Sequence, residues 1–247
     1  MFLLKCFVVL PILVMAAHAL ADCQPVAKLV AFDGQVSIKP AGRVLKTSPG
    51  SLPRPLCAGD EVHTFAGRAL VNDGRTSVAV DQFSVAAFNA AGKSLLNQGQ
   101  ALFVVSKRKE EAGVEVKTRL SVIGVKGTRF LVGDKNDKVA VVLDQGQVEI
   151  TSTQGPVGLY RENATAKPAD EDFEAYARRK TEAIAAGRAA FEQYKTQVQR
   201  EFVAYVENLT LEAGKELETV GRVAVERDIS NESADSLKAL SAWLGTR

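Results

Sequence analysis

Residues that could take part in catalysis or metal binding are few in this chain of 247 residues, which has two histidines and three cysteines. His63 lies in the strand-like segment EVHTF, and no serine or cysteine is placed by spacing as its partner. We therefore interpret His63 as an ordinary strand residue. The cysteines lack the spacing of metal ligands. We expect no catalytic residue, no metal site and no cofactor.

Two further motifs favour structural interpretations. The segment GVKGT lacks the Gly-Lys-Ser/Thr ending of a phosphate-binding loop and lies among predicted strands. The acidic residues Asp170, Glu171, Asp172 and Glu174 follow Pro168, where they would complement the positive end of a helix. The net charge of +2 is too small for the usual nucleic-acid footprint, so we expect no nucleic-acid partner.

The N-terminal segment has the pattern of a secretory signal peptide. Lys5 precedes the uncharged run CFVVLPILVMAA, which is too short to span a bilayer, and Ala19 and Ala21 frame a cleavage site. We expect residues 1–21 to be removed, leaving a periplasmic or secreted chain that does not span the membrane. Lipidation of Cys23 is an alternative, although Asp22 stands where a lipoprotein signal needs a small residue.

Export removes Cys6 and leaves an even pair of cysteines, Cys23 and Cys57. Exported proteins mature in an oxidising compartment, so we predict a disulfide between these two residues. Two buried thiols are the alternative.

Residues 22–160 have the pattern of an all-β domain, which would be layered, sandwich-like or solenoid-like. Short β-branched runs alternate in polarity and are separated by glycine or Asp-Gly turns. Glycine followed by an alternating strand recurs in GQVSI, GQALFVV and GQVEI. A hairpin turn is predicted in GDKND, between RFLV and VAVVL.

After a predicted linker at residues 161–169, the composition becomes that of an α-helical C-terminal region, residues 170–247. At helical spacing its apolar side chains form one stripe. The candidate interface residues on this stripe are Phe191, Tyr194, Val198, Phe202, Tyr205 and Leu209. The stripe packs either within the chain, by folding back on residues 211–228, or against another chain, a homo-oligomer included. A last short helix is predicted from Ser233 to Leu244.

Five sequence elements in order resemble a FecR-type periplasmic domain over about residues 26–153. They are an opening strand around a glycine, a Gly-Asp pair before a strand, an Asp-Gly turn, a Gly-Thr-x-Phe strand and a closing glycine. The residues concerned are Gly34, Gly59, Asp60, Asp73, Gly74, Gly127, Thr128, Phe130 and Gly146. We interpret them as structural, because glycine accepts positive φ, aspartate caps turn amides and phenylalanine fills a core.

The resemblance implies an exported all-β module without known catalysis that is used for protein contact. In the best-understood members of the family, this domain is the periplasmic sensor of a membrane-spanning sigma-factor regulator that reads a TonB-dependent outer-membrane receptor. The sequence shows no recognisable anti-sigma segment, internal membrane span or secretin-and-TonB-like module. The resemblance therefore does not imply signal transfer across the inner membrane.

Two functional hypotheses follow. The leading one is a non-enzymatic periplasmic protein-interaction module of the FecR type, acting in envelope sensing or assembly with an unknown envelope protein. The alternative is a protein that binds cell-wall polymer or another envelope glycan, because residues 22–168 hold 19 basic and 14 acidic side chains. Against the alternative, every tyrosine and the tryptophan except Tyr160 lie in the C-terminal region, away from the β domain.

Overall fold

The structure is a computed structural model that describes residues 23–106, 113–125, 127–162 and 200–246. Within these ranges the chain forms 18 β-strands followed by one α-helix. In chain order the elements are β1 (Pro25–Asp33), β2 (Val36–Lys39), β3 (Arg54–Cys57), β4 (Asp60–Thr64), β5 (Arg68–Asn72), β6 (Thr76–Val80), β7 (Val85–Ala90), β8 (Lys93–Val105), β9 (Val114–Lys117), β10 (Ser121–Val125), β11 (Arg129–Lys135), β12 (Lys138–Gln145), β13 (Gln147–Ser152), β14 (Val157–Glu162), β15 (Arg200–Val206), β16 (Asn208–Glu212), β17 (Lys215–Val220), β18 (Val223–Asp228) and α1 (Asn231–Gly245).

The strands form two hydrogen-bonded sheets that share the long strand β8. Sheet A has the spatial order β3-β1-β5-β6-β8-β11-β12-β17-β18-β14-β15. Sheet B has the order β2-β4-β7-β8-β9-β10-β13-β16. Neighbouring strands are antiparallel except for β8 with β9 and β14 with β18, which are parallel. Apolar side chains from both sheets form one hydrophobic cluster.

The chain passes from one sheet to the other at glycines in the left-handed region. Gly34 separates β1 from β2 with a φ of +60°, and Gly146 separates β12 from β13 with a φ of +90°. Gly99, with a φ of +88°, divides β8 between its sheet B half and its sheet A half. These are the glycines of the three recurring segments, so the recurrence marks the corners between the sheets.

Strands in the middle of sheet A are buried on both faces. On the inner face Phe103 stacks on Phe130, with ring centroids 5.1 Å apart. On the outer face α1 packs on the sheet, and Leu237 and Leu240 of α1 belong to the second hydrophobic cluster. Their partners from the sheet are Ala79, Leu102, Leu131 and Val142. Burial on both sides explains why segments such as ALFVV and VAVVL are continuously apolar.

Helix α1 confirms the predicted last helix, and both of its ends are fixed to the sheets. At its start, the side chain of Ser230 accepts a hydrogen bond from the backbone N–H of Ser233 as an N-cap. The backbone N–H of Ser230 donates to Glu216 Oε2 of β17 at 3.2 Å. Near its end, the indole Nε1 of Trp243 donates to Asp33 Oδ2 at 2.6 Å. Helix α1 therefore covers part of the outer face of sheet A.

The prediction of an α-helical region over residues 170–247 is wrong for residues 200–228. This segment forms β15, β16, β17 and β18, which pair with β14, β13 and β12 of the preceding domain. Its six glutamates favour a helix, whereas its five valines favour strands, and pairing with open strand edges outweighs intrinsic helix propensity. The C-terminal strands therefore complete both sheets instead of forming a separate helical region.

Of the remaining expectations, the predicted hairpin turn is confirmed and the others lie mostly outside the described residues. The turn predicted in GDKND is present, because Asn136 and Asp137 connect β11 to β12 with φ values of +52° and +59°. Most of the predicted linker at residues 161–169 and the helix predicted over residues 170–199 lie outside the described residues, so the domain boundary remains a prediction. Glu162 and Arg200 on either side of that segment are direct partners in the β14–β15 ladder.

Candidate interaction surface

The corner glycines lie in close contact with neighbouring backbone. A Cβ atom on Gly34 would lie 2.2 Å from the carbonyl oxygen of Ala66, and one on Gly67 would lie 2.3 Å from the carbonyl oxygen of Asp33. A Cβ atom on Gly146 would lie 2.5 Å from Cγ2 of Thr128. Successive corners therefore stack on one another with no room for a side chain.

The motif residues around Gly127 lie in the core. Gly127 has a φ of +60°, and both Thr128 and Phe130 are buried. Elsewhere, a cavity of about 20 Å³ is lined by side chains such as Leu120 and Ile150, which leaves room for about one water molecule.

The two motif aspartates organise turns. The buried Asp60 carboxylate accepts hydrogen bonds from the backbone N–H of Ala41 and of Cys57, both at 2.9 Å, directly after Gly59 with its φ of +84°. Asp73 accepts from the backbone N–H of Arg75, Thr76 and Gly92 at 2.7 to 2.8 Å, beside Gly74 with its φ of +86°. Each carboxylate satisfies backbone donors that would otherwise lack a partner.

The predicted disulfide is present and joins Cys23 to Cys57, whose Cα atoms are 5.6 Å apart. Pro25 of β1 is paired with Cys57 of β3, so the bond lies at the end of the β1–β3 ladder. It fixes the start of the described chain to an edge of sheet A.

His63 belongs to an ionic network on the outer face of sheet B. Its Nε2 lies 2.8 Å from Glu61 Oε2, and Lys39 Nζ donates to Glu61 Oε1 at 3.2 Å. Burial acts to raise the pKa of Glu61, but hydrogen bonds from His63 and Lys39 outweigh it and the pKa lies below its usual value. Ser37 is paired across the strands with His63, yet its buried Oγ has no hydrogen-bond partner. Histidine and serine therefore do not form a nucleophile–base pair.

Two deeply buried carboxylates are each held by an arginine. Asp134 of β11 accepts from Arg119 Nε at 2.8 Å, and Glu216 of β17 accepts from Arg227 Nε at 2.6 Å. Burial acts to raise the pKa of Glu216, but hydrogen bonds from the serines at the start of α1 and from Arg227 lower it below its usual value. These pairs position strands and the helix. Within the described part of the chain, no cluster of His, Cys, Asp and Glu could hold a metal ion.

The predicted helical stripe is wrong for its three described members. Phe202 and Tyr205 lie in β15 and Leu209 lies in β16. Leu209 packs against the core, whereas Tyr205 is 76% exposed on the opposite face of the strand from the core-packed Val206. Phe191, Tyr194 and Val198 lie outside the described residues. Tyr205 is thus the exposed member of the stripe among those whose side chains the structure describes.

Tyr205 belongs to an exposed row across the outer face of sheet A, which we call the Tyr205 row. In the ladders, Tyr205 of β15 is aligned with Gly158 of β14, Val223 of β18 and Val220 of β17. Both valines are exposed. Tyr160 lies beside the row, because a Cβ atom on Gly158 would lie 3.4 Å from Tyr160 Cε2 and 3.7 Å from Tyr205 Cε1. Sequence reasoning missed this surface because the strands that form it were predicted to be helical.

The two ends of the sheets differ in how their edges are covered. At one end, the edge strand β3 contains Pro55, and β2 exchanges two hydrogen bonds with Thr47 through Ile38, at 2.7 and 2.8 Å. At the other end, β15 pairs with β14 alone and β16 pairs with β13 alone among the described residues. Residues 200–212 thus form the second edge of both sheets in one continuous stretch. A β-bulge at Val203 separates the paired residues Phe202 and Ala204.

These features define an all-β protein in which glycine corners link two sheets. A disulfide holds the start of the described chain to an edge strand, and a helix packs on one face of sheet A. Residues 61–149 match the family model described as FecR protein. The chain therefore carries a FecR domain, which confirms the resemblance found in its sequence. The strands of residues 200–228 lie outside the matched range and extend the sheets of that domain.

Two solved structures described as a candidate anti-sigma factor of Parabacteroides distasonis are similar to this chain. The first is 14% identical with a TM-score of 0.45, and the match covers 74% of this chain and 64% of that one. The second is 12% identical with a TM-score of 0.44, covering 71% and 62%. The chain thus spans less than two thirds of the length of either structure. The comparison with curated proteins returned no match. Among the described residues, none of the helices is both long and apolar enough to cross a membrane.

Proposed function

We propose that this protein is a non-enzymatic interaction module of the FecR type that contacts another protein of the bacterial envelope, in sensing or assembly. The carrying observation is the contrast between the two ends of its sheets. Proline and a bridging loop cover the edges formed by β2 and β3, as in proteins that prevent edge-to-edge association. The edges formed by β15 and β16 carry neither a proline nor a bridging loop among the described residues, and β15 has a bulge at Val203 alone.

The partner that fits this edge is an extended segment of another protein. An edge strand presents backbone N–H and C=O groups that a further strand can pair with, and neighbouring side chains then supply specificity. The Tyr205 row places an aromatic ring and two exposed valines beside the edge. Tyrosine is enriched at protein interfaces because it offers a large contact area and a polar tip.

Export to the periplasm is part of the proposal. A disulfide between Cys23 and Cys57 fits an oxidising compartment, and the signal-peptide pattern of residues 1–21 fits export. FecR-type families are regulatory rather than enzymatic, which agrees with the role proposed here.

Glycan binding is the second candidate, and one observation favours it. Tyr160 and Tyr205 lie on either side of Gly158, so the aromatic side chains that the sequence places in separate regions are adjacent on the sheet. Such a pair of rings could stack on sugar rings of cell-wall polymer. Sedimentation of the mature protein with purified cell wall distinguishes this candidate from protein contact.

The test is crosslinking in intact envelopes, followed by mass spectrometry of the captured species. Tyr205→Lys should abolish capture, because a lysine on an edge strand opposes the addition of a further strand. Glu149→Lys is the matched control, since Glu149 is exposed on β13 of sheet B, whereas the Tyr205 row lies on sheet A. Unchanged capture by Tyr205→Lys contradicts the proposal. Wall binding lost in Tyr205→Lys supports the glycan candidate, and a crosslinked species of two copies of this chain indicates self-association.

A further inference from the structure

A second exposed apolar surface lies far along the chain from the Tyr205 row. The loop between β2 and β3 carries Val44 and Leu45, which are 90% and 79% exposed. Single exposed apolar residues are ordinary, but two adjacent ones with almost no contacts form the tip of a patch. We call the loop of residues 40–53 the tip loop.

Two phenylalanines extend this patch. Lys46 Nζ lies 5.3 Å from the centroid of the Phe65 ring, which joins the tip loop to the connection between β4 and β5. Phe83 is 63% exposed, and its backbone N–H donates to the carbonyl oxygen of Phe65 at 2.9 Å. Its φ of +56° places a bulky residue in the left-handed region, where such residues are rare outliers.

The outward position of Phe83 is fixed by its surroundings. The Oγ1 of Thr64 donates to the carbonyl oxygen of Asp81 and accepts from the backbone N–H of Ser84 at 3.0 Å. Ser84 is fully buried. The turn is thus held on both sides of Phe83, and the ring is presented to solvent at a cost in backbone strain. Strain of this kind clusters at functional sites.

The tip loop is also held in shape. Thr47 exchanges two backbone hydrogen bonds with Ile38, and the backbone N–H of Arg43 donates to the carbonyl oxygen of Pro40 at 3.0 Å. Arg54 Nη1 donates to the carbonyl oxygens of Ser48 and Pro49 at 3.1 and 3.0 Å. The exposed tip therefore projects from an ordered base.

The charge of this surface is positive. Residues 39–54 include the basic residues Lys39, Arg43, Lys46 and Arg54 and no acidic residue. Glu61 pairs with Lys39, and Asp81 pairs with Arg68. The buried Asp60 accepts from the backbone N–H of Ala41. The positive charge of residues 40–54 is therefore carried by Arg43, Lys46 and Arg54. Arg43 and Lys46 directly flank the apolar pair Val44-Leu45.

We propose that the tip loop, with Phe65 and Phe83, binds the surface of an anionic lipid bilayer. Apolar side chains beside cations suit the boundary between headgroups and acyl chains, where apolar tips enter and cations contact phosphates. A soft interface accepts a protruding tip without a complementary pocket. A polyanion alone would explain the cations but not the exposed Val44 and Leu45.

The test is sedimentation of the mature, disulfide-bonded chain with vesicles of equimolar phosphatidylglycerol and phosphatidylcholine, compared with phosphatidylcholine alone. The wild type should bind the anionic vesicles and lose binding at high salt. The double variant Val44→Ser/Leu45→Ser should lower partitioning about tenfold or more, because the apolar area entering the bilayer is removed. Arg43→Gln and Lys46→Gln should each lower it about fivefold.

The matched control is the double variant Val220→Ser/Val223→Ser, which removes the exposed valines of the Tyr205 row. It should bind the anionic vesicles like the wild type, so this test is independent of the proposed protein contact. As a positional probe, Leu45→Trp should give a blue-shifted emission with anionic vesicles, whereas Val220→Trp should not. Equal binding to neutral vesicles, no binding, or an equal loss in both double variants would overturn the proposal. Loss of a protein crosslink in Val44→Ser/Leu45→Ser with unchanged vesicle binding would also overturn it.

Discussion

Gly99→Ala is expected to destabilise the protein strongly, because Gly99 is the corner at which β8 passes between the two sheets. Its φ is +88°, and a Cβ atom there would lie 2.2 Å from Ser84 Oγ and 2.6 Å from Ser84 Cα. Ser84 cannot move aside easily. It is fully buried, and its hydroxyl accepts from the backbone N–H of Gln100 at 2.9 Å.

Two effects lower the free energy of unfolding of Gly99→Ala, and they add. Placing an alanine in the left-handed region lowers it by about 1–2 kcal/mol. Forcing an extra methyl group into a packed site costs about 1–3 kcal/mol more. In a chain of this size, each kcal/mol lowers the melting temperature by about 2–4 °C, so Gly99→Ala should lower it by about 10 °C.

Gly74→Ala separates the two costs. Gly74 has nearly the same φ, +86°, but a Cβ atom there would meet nothing within 4 Å. Only the backbone cost applies, and the melting temperature should fall by about 4 °C. The assay is thermal unfolding of both variants and the wild type, followed by circular dichroism with the disulfide intact. Equal shifts for the two variants would refute the claim that the corner is crowded.

Three further predictions concern buried charges and the disulfide. Arg119→Ala should lower the free energy of unfolding, measured in urea, by about 3 kcal/mol, because the buried Asp134 carboxylate loses its partner. Asp134→Ala should lower it less, because Arg119 is 44% exposed and can reach water. Equal losses in the two variants would argue against this asymmetry. The lowered pKa of Glu216 means that its contribution to stability is present at neutral pH and is lost as the pH falls through that pKa. Glu216→Gln should therefore flatten the acid limb of the stability–pH curve, and an acid limb as steep as that of the wild type would contradict this assignment. Cys57→Ser should lower the free energy of unfolding by about 3 kcal/mol, since the bond closes a loop with a sequence separation of 34 residues. Thiols that alkylate without reductant in the wild type would show that the bond does not form in the protein isolated from cells.

The features that the sequence predicted are local ones. A glycine before an alternating strand, an aspartate that accepts turn amides and a short C-terminal helix each involve residues close together in the chain. Asp73 illustrates this, because it accepts from Arg75 and Thr76, two and three residues further on. The disulfide was predictable for a different reason, since removal of the predicted signal peptide would leave two cysteines.

The C-terminal strands could not be predicted in the same way. Their partners β12, β13 and β14 lie about 40 to 80 residues earlier in the chain, and their glutamate content favours a helix. Local signals were nevertheless present: Gly214 and Gly221, with φ values of +82° and +53°, separate short runs of strand length. The spacing of Phe202, Tyr205 and Leu209 fits a helical stripe, but in strands Tyr205 is exposed whereas Leu209 packs against the core.

The candidate surface depends on this non-local pairing. Tyr205 and Tyr160 are 45 positions apart in sequence and become neighbours only when β15 pairs with β14. Val223 joins them through the parallel pairing of β18 with β14. No short-range pattern brings these three side chains together, so the candidate interface in this segment was assigned the wrong structure and its role in contact stays a prediction.

Photocrosslinking across the Tyr205 row tests the central claim most directly. A photoreactive phenylalanine analogue is placed in turn at Tyr205, Val223 and Val220, and at Glu149 as the control, in cells that express the full chain. If a partner strand adds at the β15 edge, position 205 should capture one envelope protein with the highest yield. The yield should fall through position 223 to position 220, and position 149 should give none. Capture at position 149 equal to that at position 205, or no protein captured along the row, would contradict the account.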